Sequence, residues 1–101
     1  MIKHIVMWKL AENAENKSKM ENANMLSEML KNLKSYIPEL LEIEVGINHE
    51  KADKENWDVC LITEFENWET MEKYQCHPEH LKVADFVKKI RLSRTCVDYV
   101  V

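Results

Sequence analysis

The chain has 101 residues, 46% of them apolar and 32% charged, and carries a formal net charge of -4. That length holds one core and one domain, residues 1–101, and the composition is that of a folded globular chain, not a disordered one. The acidic balance argues against the basic stripe that nucleic-acid binding needs, and no run of about 18 apolar residues is present to span a bilayer.

The chain opens with Ile2, His4, Val6, Trp8 and Leu10 on one face of a strand, with Ile5 and Met7 between Lys3 and Lys9 on the other. Lys9-Leu10-Ala11-Glu12-Asn13 turns polar too early for a secretory signal, so a cytoplasmic location is the expectation. A helix is predicted from about Asn16 to Tyr36. Its apolar positions are Met20, Ala23, Leu26, Leu30, Leu33 and Ile37, and Pro38 ends it.

Leu41, Ile43, Val45 and Ile47 alternate with polar residues in a second strand, and a polar connection over 49–56 follows. Trp57, Val59, Leu61, Thr63 and Phe65 alternate in a third strand, after which Asn67 caps a short helix that ends near Tyr74. Pro78 suits the first position of another helix, with Leu81, Ala84, Phe86, Val87 and Ile90 as its core face. A last strand alternates through Thr95, Val97, Tyr99 and Val101.

The order is βαββαβ with the second helical segment broken at His77-Pro78, which predicts an α+β, ferredoxin-like antiparallel sheet with helices on one face. Ile5, Met7, Cys60 and Ile62 then fall on the uncovered face. An apolar patch of that kind predicts a twofold homodimer packed sheet to sheet.

Cys60, Cys76 and Cys96 are odd in number and lack CxxC spacing, so they read as reduced, packed thiols. Lys82, Lys88, Lys89, Arg91 and Arg94 lie in or just after the last helix, where cations complement the dipole and face water. No phosphate loop, dinucleotide fingerprint or serine nucleophile elbow occurs, so no cofactor is expected. His77-x-x-His80, with Cys76 beside it, is a weak zinc pattern because its first member precedes proline, and no metal is expected either.

Proton-active groups concentrate in Tyr74-Gln75-Cys76-His77-Pro78-Glu79-His80. His80 in the first turn of a helix favours a neutral, proton-accepting ring, and the Tyr74 phenol is a donor suited to a developing oxyanion. His4, Val6 and Trp8 from the first strand, Leu61 from the third, and Leu26, Leu30, Phe86 and Ile90 from the helices are the expected pocket lining. Asp98 is placed to orient one of the imidazoles.

Ile2-Lys3-His4-Ile5-Val6, Ile37-Pro38-Glu39-Leu40, Glu44-Val45-Gly46, Tyr74-x-x-His77-Pro78-x-His80 and Arg94-x-x-Val97-Asp98-Tyr99 together resemble the stress-responsive A/B barrel domain (Dabb) family across essentially the whole chain. The resemblance implies a dimeric α+β barrel. It also implies, from a plant polyketide cyclase of the family, that Tyr74 and His80 serve intramolecular aldol chemistry. That cyclase lines its pocket with aromatics from the first and last helices, where this chain has Leu26, Leu30, Ile90 and Arg91.

Three functions follow as expectations. The first is a cofactor-independent lyase or cyclase acting on a small keto compound through Tyr74 and His80. The second is a stress-related dimer that binds a small apolar ligand without turnover. The third, by fold analogy alone, is an oxygenase-like or haem-handling protein.

Overall fold

A computed structural model describes residues 1–101 as β1 (Ile2–Leu10), β2 (Asn13–Ala14), β3 (Lys17–Ser18), α1 (Lys19–Tyr36), β4 (Glu42–Ile47), β5 (Val59–Phe65), α2 (Trp68–Cys76), α3 (Pro78–Ile90) and β6 (Arg91–Val100). Four strands form one antiparallel sheet in the order β4-β5-β1-β6, and β2 and β3 form a separate small hairpin. This is the ferredoxin-like α+β arrangement expected from the strand and helix periodicities. No helix is long and apolar enough to cross a membrane.

Residues opposite one another in a sheet share a face, so the register sorts the strands cleanly. His4, Val6 and Trp8 of β1 lie opposite Thr63, Leu61 and Val59 of β5 on one side, and opposite Asp98, Cys96 and Arg94 of β6 on the other. This is the helix-covered face. Val6, Trp8, Val59 and Leu61 are buried there with Leu26, Leu30 and Leu33 of α1 and Val83, Val87 and Ile90 of α3.

The opposite face carries Lys3, Ile5 and Met7, then Glu64, Ile62 and Cys60, then Tyr99, Val97 and Thr95. Nothing in the chain covers it. Val97 is 53% and Tyr99 42% exposed.

Three local expectations are corrected. Asn16 does not begin α1: Glu15 and Asn16 have φ of 53° and 62° and form the left-handed corner of the β2–β3 hairpin, the conformation of a primed turn. The helix starts at Lys19 behind the capping box Ser18-x-x-Glu21, in which the Ser18 hydroxyl accepts from the Glu21 N–H and the Glu21 carboxylate accepts from the Ser18 N–H. Ser18→Ala should therefore destabilise the fold by about 0.5–2 kcal/mol in chemical denaturation.

Met20, placed one turn before Ala23 in the apolar stripe, is 50% exposed because the helix has barely begun there. Leu81 is 51% exposed and Val83 takes its place in the core, since α3 turns its 80–83–84–87 face, not residue 81, towards the sheet. Two strands also differ in extent: β5 begins at Val59 rather than Trp57, and β6 follows α3 with no intervening loop.

Candidate functional site

Three elements bring the expected proton-active groups together. Asn67 caps α2, so that Met71 and Tyr74, one turn apart, both face the core. At the far end of α2, His77 closes one helix and opens the next: its Nδ1 accepts from the Glu79 N–H at 3.1 Å, and Pro78 sits at N1 of α3. His77 is thereby used as a cap, and His80 falls at the third helical position.

Tyr74 is fully buried. Its ring packs on Phe65 at 4.9 Å and on His80 at 4.6 Å between centroids, with the His4 ring edge-on at 6.5 Å. Two polar atoms in this cluster, the Tyr74 hydroxyl oxygen and His80 Nδ1, are enclosed without a hydrogen-bond partner. Burial raises the Tyr74 pKa well above the usual phenol value and keeps the hydroxyl protonated.

His80 is shifted the other way. Burial lowers its pKa below the ordinary imidazole value, and His4, Arg94 and His77 add like-charge repulsion, while the Gln75 backbone carbonyl opposes the shift. A neutral ring at neutral pH results.

His4 is buried, and its Nδ1 pairs with the Asp98 carboxylate directly across the β1–β6 ladder. The strand carrying it is held from the other side by the Thr63 hydroxyl, which donates to the His4 carbonyl at 3.0 Å. Asp98 thus orients His4 and not His80. Cys96 Sγ lies 3.6 Å from His4 Nδ1 and 3.7 Å from Asp98 Oδ1. These three donor atoms of metal-binding type lie within 4.8 Å of one another. Burial, followed by the Asp98 charge, raises the Cys96 pKa and so favours the thiol. The Cys76, His77 and His80 set is not gathered in this way.

A cavity of about 170 Å³ lies between the sheet and α3. Its sheet wall is His4, Val6, Trp8 and Leu61, and Leu30 of α1 and Val83, Ala84 and Val87 of α3 complete the apolar part. His80 lines it too, with its Nδ1 enclosed.

Four residues expected in the lining lie elsewhere. Leu26 and Ile90 are in the closed core, Phe86 is packed against that core, and Asp98 is behind His4. Tyr74 is one layer beneath the wall, under His80. Of the cations at the end of α3, Lys88 and Arg94 are exposed, as expected, and together with the half-buried Arg91 they also border the cavity. Counting helical turns from His80 through Ala84, Val87, Lys88 and Arg91 gives one continuous stripe, and that spacing was the available signal.

The family model of the stress responsive A/B barrel domain matches residues 2–101. The chain belongs to that family. A dimeric protein of unknown function and ferredoxin-like fold from Bacteroides fragilis has 33% sequence identity and a TM-score of 0.86, over 99% of this chain and 95% of that one. A dimeric ferredoxin-like protein of unknown function from Thermobifida fusca has 20% identity and a TM-score of 0.83, over 99% and 90%. The hydroxynitrile lyase of Passiflora edulis shares the fold at a TM-score of 0.78 with 14% identity, over 99% and 92%. Among curated proteins there is no match. Of these three, the proteins from Bacteroides fragilis and Thermobifida fusca are dimeric, and in this chain the sheet face opposite the helices is left open.

Proposed function

We propose that this A/B barrel protein binds a small keto compound in the cavity between sheet and α3 and removes a proton next to its carbonyl, as a cofactor-independent lyase or cyclase. His80 is the base, through Nε2. Tyr74, whose ring lies against that of His80, is the donor to the oxygen that gains charge. The observation that carries this reading is the buried, partnerless Tyr74 Oη, packed against His80, whose imidazole stands in the cavity wall. Buried polar groups are nearly always paired, and catalytic centres are a recognised exception.

The assignment is tested by incubating the protein with small aryl ketones in D₂O and following loss of the α-proton signal by NMR. Exchange above the buffer rate that disappears in His80→Ala supports it. A ligand that shifts the His80 signals without any exchange would favour the second reading, a non-catalytic ligand-binding dimer. The covered position of Tyr74 is the feature that favours that alternative. The lyase of Passiflora edulis adds only that this fold accommodates lyase chemistry.

We further propose a twofold homodimer through the open sheet face. Ile5, Met7, Ile62, Val97 and Tyr99 make that face apolar at its centre, and the Lys3–Glu64 ion pair at 3.8 Å lies on the same face. Light scattering at micromolar concentration should give the dimer mass, and Val97→Asp should shift it towards the monomer because it puts a charge in the centre of the interface. A monomeric wild-type chain would rule the arrangement out.

A further inference from the structure

The cavity has a charge pattern that a neutral ligand leaves unused. Its outer border carries Lys88 from the last turn of α3, Arg91 from the helix-to-strand junction and Arg94 from β6, and no carboxylate lines it. None of the three cations forms an ion pair, whereas Lys82, one and a half turns earlier on the same helix, is held by Glu79 at 3.1 Å. Helix-dipole complementation accounts for a lysine in the last turn of α3. It does not account for two arginines that lie beyond the helix and border the same cavity.

The surroundings make the pattern more pointed. The protein is acidic overall, at -4, so a local group of three unpaired cations runs against the average field of the chain. Arg94 lies on the helix-facing side of β6, opposite Trp8, and is near enough to His80 to repel its proton. The cationic border and the proposed base therefore belong to one space.

We infer that the ligand of this cavity is a carboxylate: a keto acid with a short apolar body, lying with that body against Val6, Trp8 and Leu61 and its carboxylate against Arg91 and Arg94, with Lys88 adding charge. Guanidinium groups suit this task because their planar fork matches a carboxylate with two parallel hydrogen bonds. The volume suits the body as well, since a cavity of about 150 Å³ accepts a benzene ring. Held in this way, the ligand's carbonyl side is directed inwards to His80, and the carboxylate remains at the wetter end. The inference rests on the cavity being the ligand site and deepens that reading by naming the class of ligand.

The test uses two probes of nearly equal shape, phenylacetate and phenylacetamide, titrated into the full chain by calorimetry and by NMR of the Val87 methyl and His80 ring signals. Phenylacetate should bind about tenfold or more tightly than the amide, as hydrogen bonds to charged groups commonly contribute. The ratio should shrink as sodium chloride is raised. It should fall towards one in the double variant Arg91→Gln, Arg94→Gln, whose fold is checked by the unchanged signals of the core methyls of Leu26 and Leu33.

Equal affinity for the two probes, with both shifting Val87, would overturn the carboxylate assignment and leave the cavity as the ligand site. Binding of phenylacetate that leaves Val87 and His80 unmoved, or no binding of either probe, would overturn both.

Discussion

His80→Ala is expected to lower the rate of α-proton removal by about 10² to 10⁴, the usual loss when a positioned general base is deleted. Its ring lines the cavity, and with Nδ1 enclosed, Nε2 is the nitrogen assigned the proton. It is held there by its position at the third residue of α3, which the His77 cap and Pro78 fix. Added imidazole should restore part of the rate in the truncated variant, since the vacated space adjoins the cavity, while the unmodified protein should not respond to it.

The pH profile gives an independent check. A base must be unprotonated, and burial lowers the His80 pKa, so the acid limb of the rate should fall below about 6.5, the ordinary imidazole value. The same shift links pH to stability. As pH falls through about 6.5 the unfolded chain takes up the proton before the folded one does, so stability declines from there until the folded pKa is reached, and then levels. His80→Gln should remove that part of the dependence. A rate limb at or above 6.5 that persists in the variant would assign the titration to another group.

Tyr74→Phe should separate activity from stability. The phenol ring is packed between Phe65 and His80, and the substitution keeps that packing. What it removes is a hydroxyl that is enclosed without a partner, and such a group costs about 1 to 3 kcal/mol. Denaturant unfolding should therefore show the variant to be more stable by a gain of that order. If the hydroxyl supports a developing oxyanion, the rate should fall by about 10² to 10³, the loss seen when one such donor is removed. A less stable variant with unchanged rate would mean that the hydroxyl has a partner in the folded protein and only a structural role.

Most of the fold was legible because this chain has few places to bend. One glycine and two prolines leave long regular elements, and strict alternation in Ile2–Leu10 and Val59–Phe65 assigns their buried sides before any pairing is known. The exceptions have local causes. Asn16 is a residue that suits both a helix start and a left-handed turn, and its neighbour Glu15 carries no mark of the positive φ it adopts. Leu81 and Val83 are both apolar, and only the angle at which α3 meets the sheet decides between them.

The site was legible in its ingredients and not in its layering. Tyr74, His80 and His4 do meet, as the broken helix suggested. Which of them touches the cavity depends on how far α2 sinks beneath α3, and residue spacing carries no such depth. The Asp98 partner follows from strand register: His4 lies opposite Asp98 once β1 and β6 are aligned. Lys88, Arg91 and Arg94 were hidden by a sound general rule, that cations after a helix complement its dipole and face water. Lys88 and Arg94 follow that rule, being exposed, but the rule carries no sign of the cavity that they and Arg91 border.

α3 passes directly into β6, and the pairing steps from Leu10 opposite Arg91 to Lys9 opposite Ser93, so that Leu92 is taken up as a bulge. Along β6, Arg94, Cys96 and Asp98 point to the cavity side, and Thr95, Val97 and Tyr99 point to the open sheet face. Adding or deleting one residue between Ser93 and Asp98, past the bulge, would exchange the two sets for part of the strand. An extra residue can be absorbed at the bulge, ahead of Ser93, whereas beyond it the cavity-facing set changes without disturbing the open face only by replacement at alternate positions.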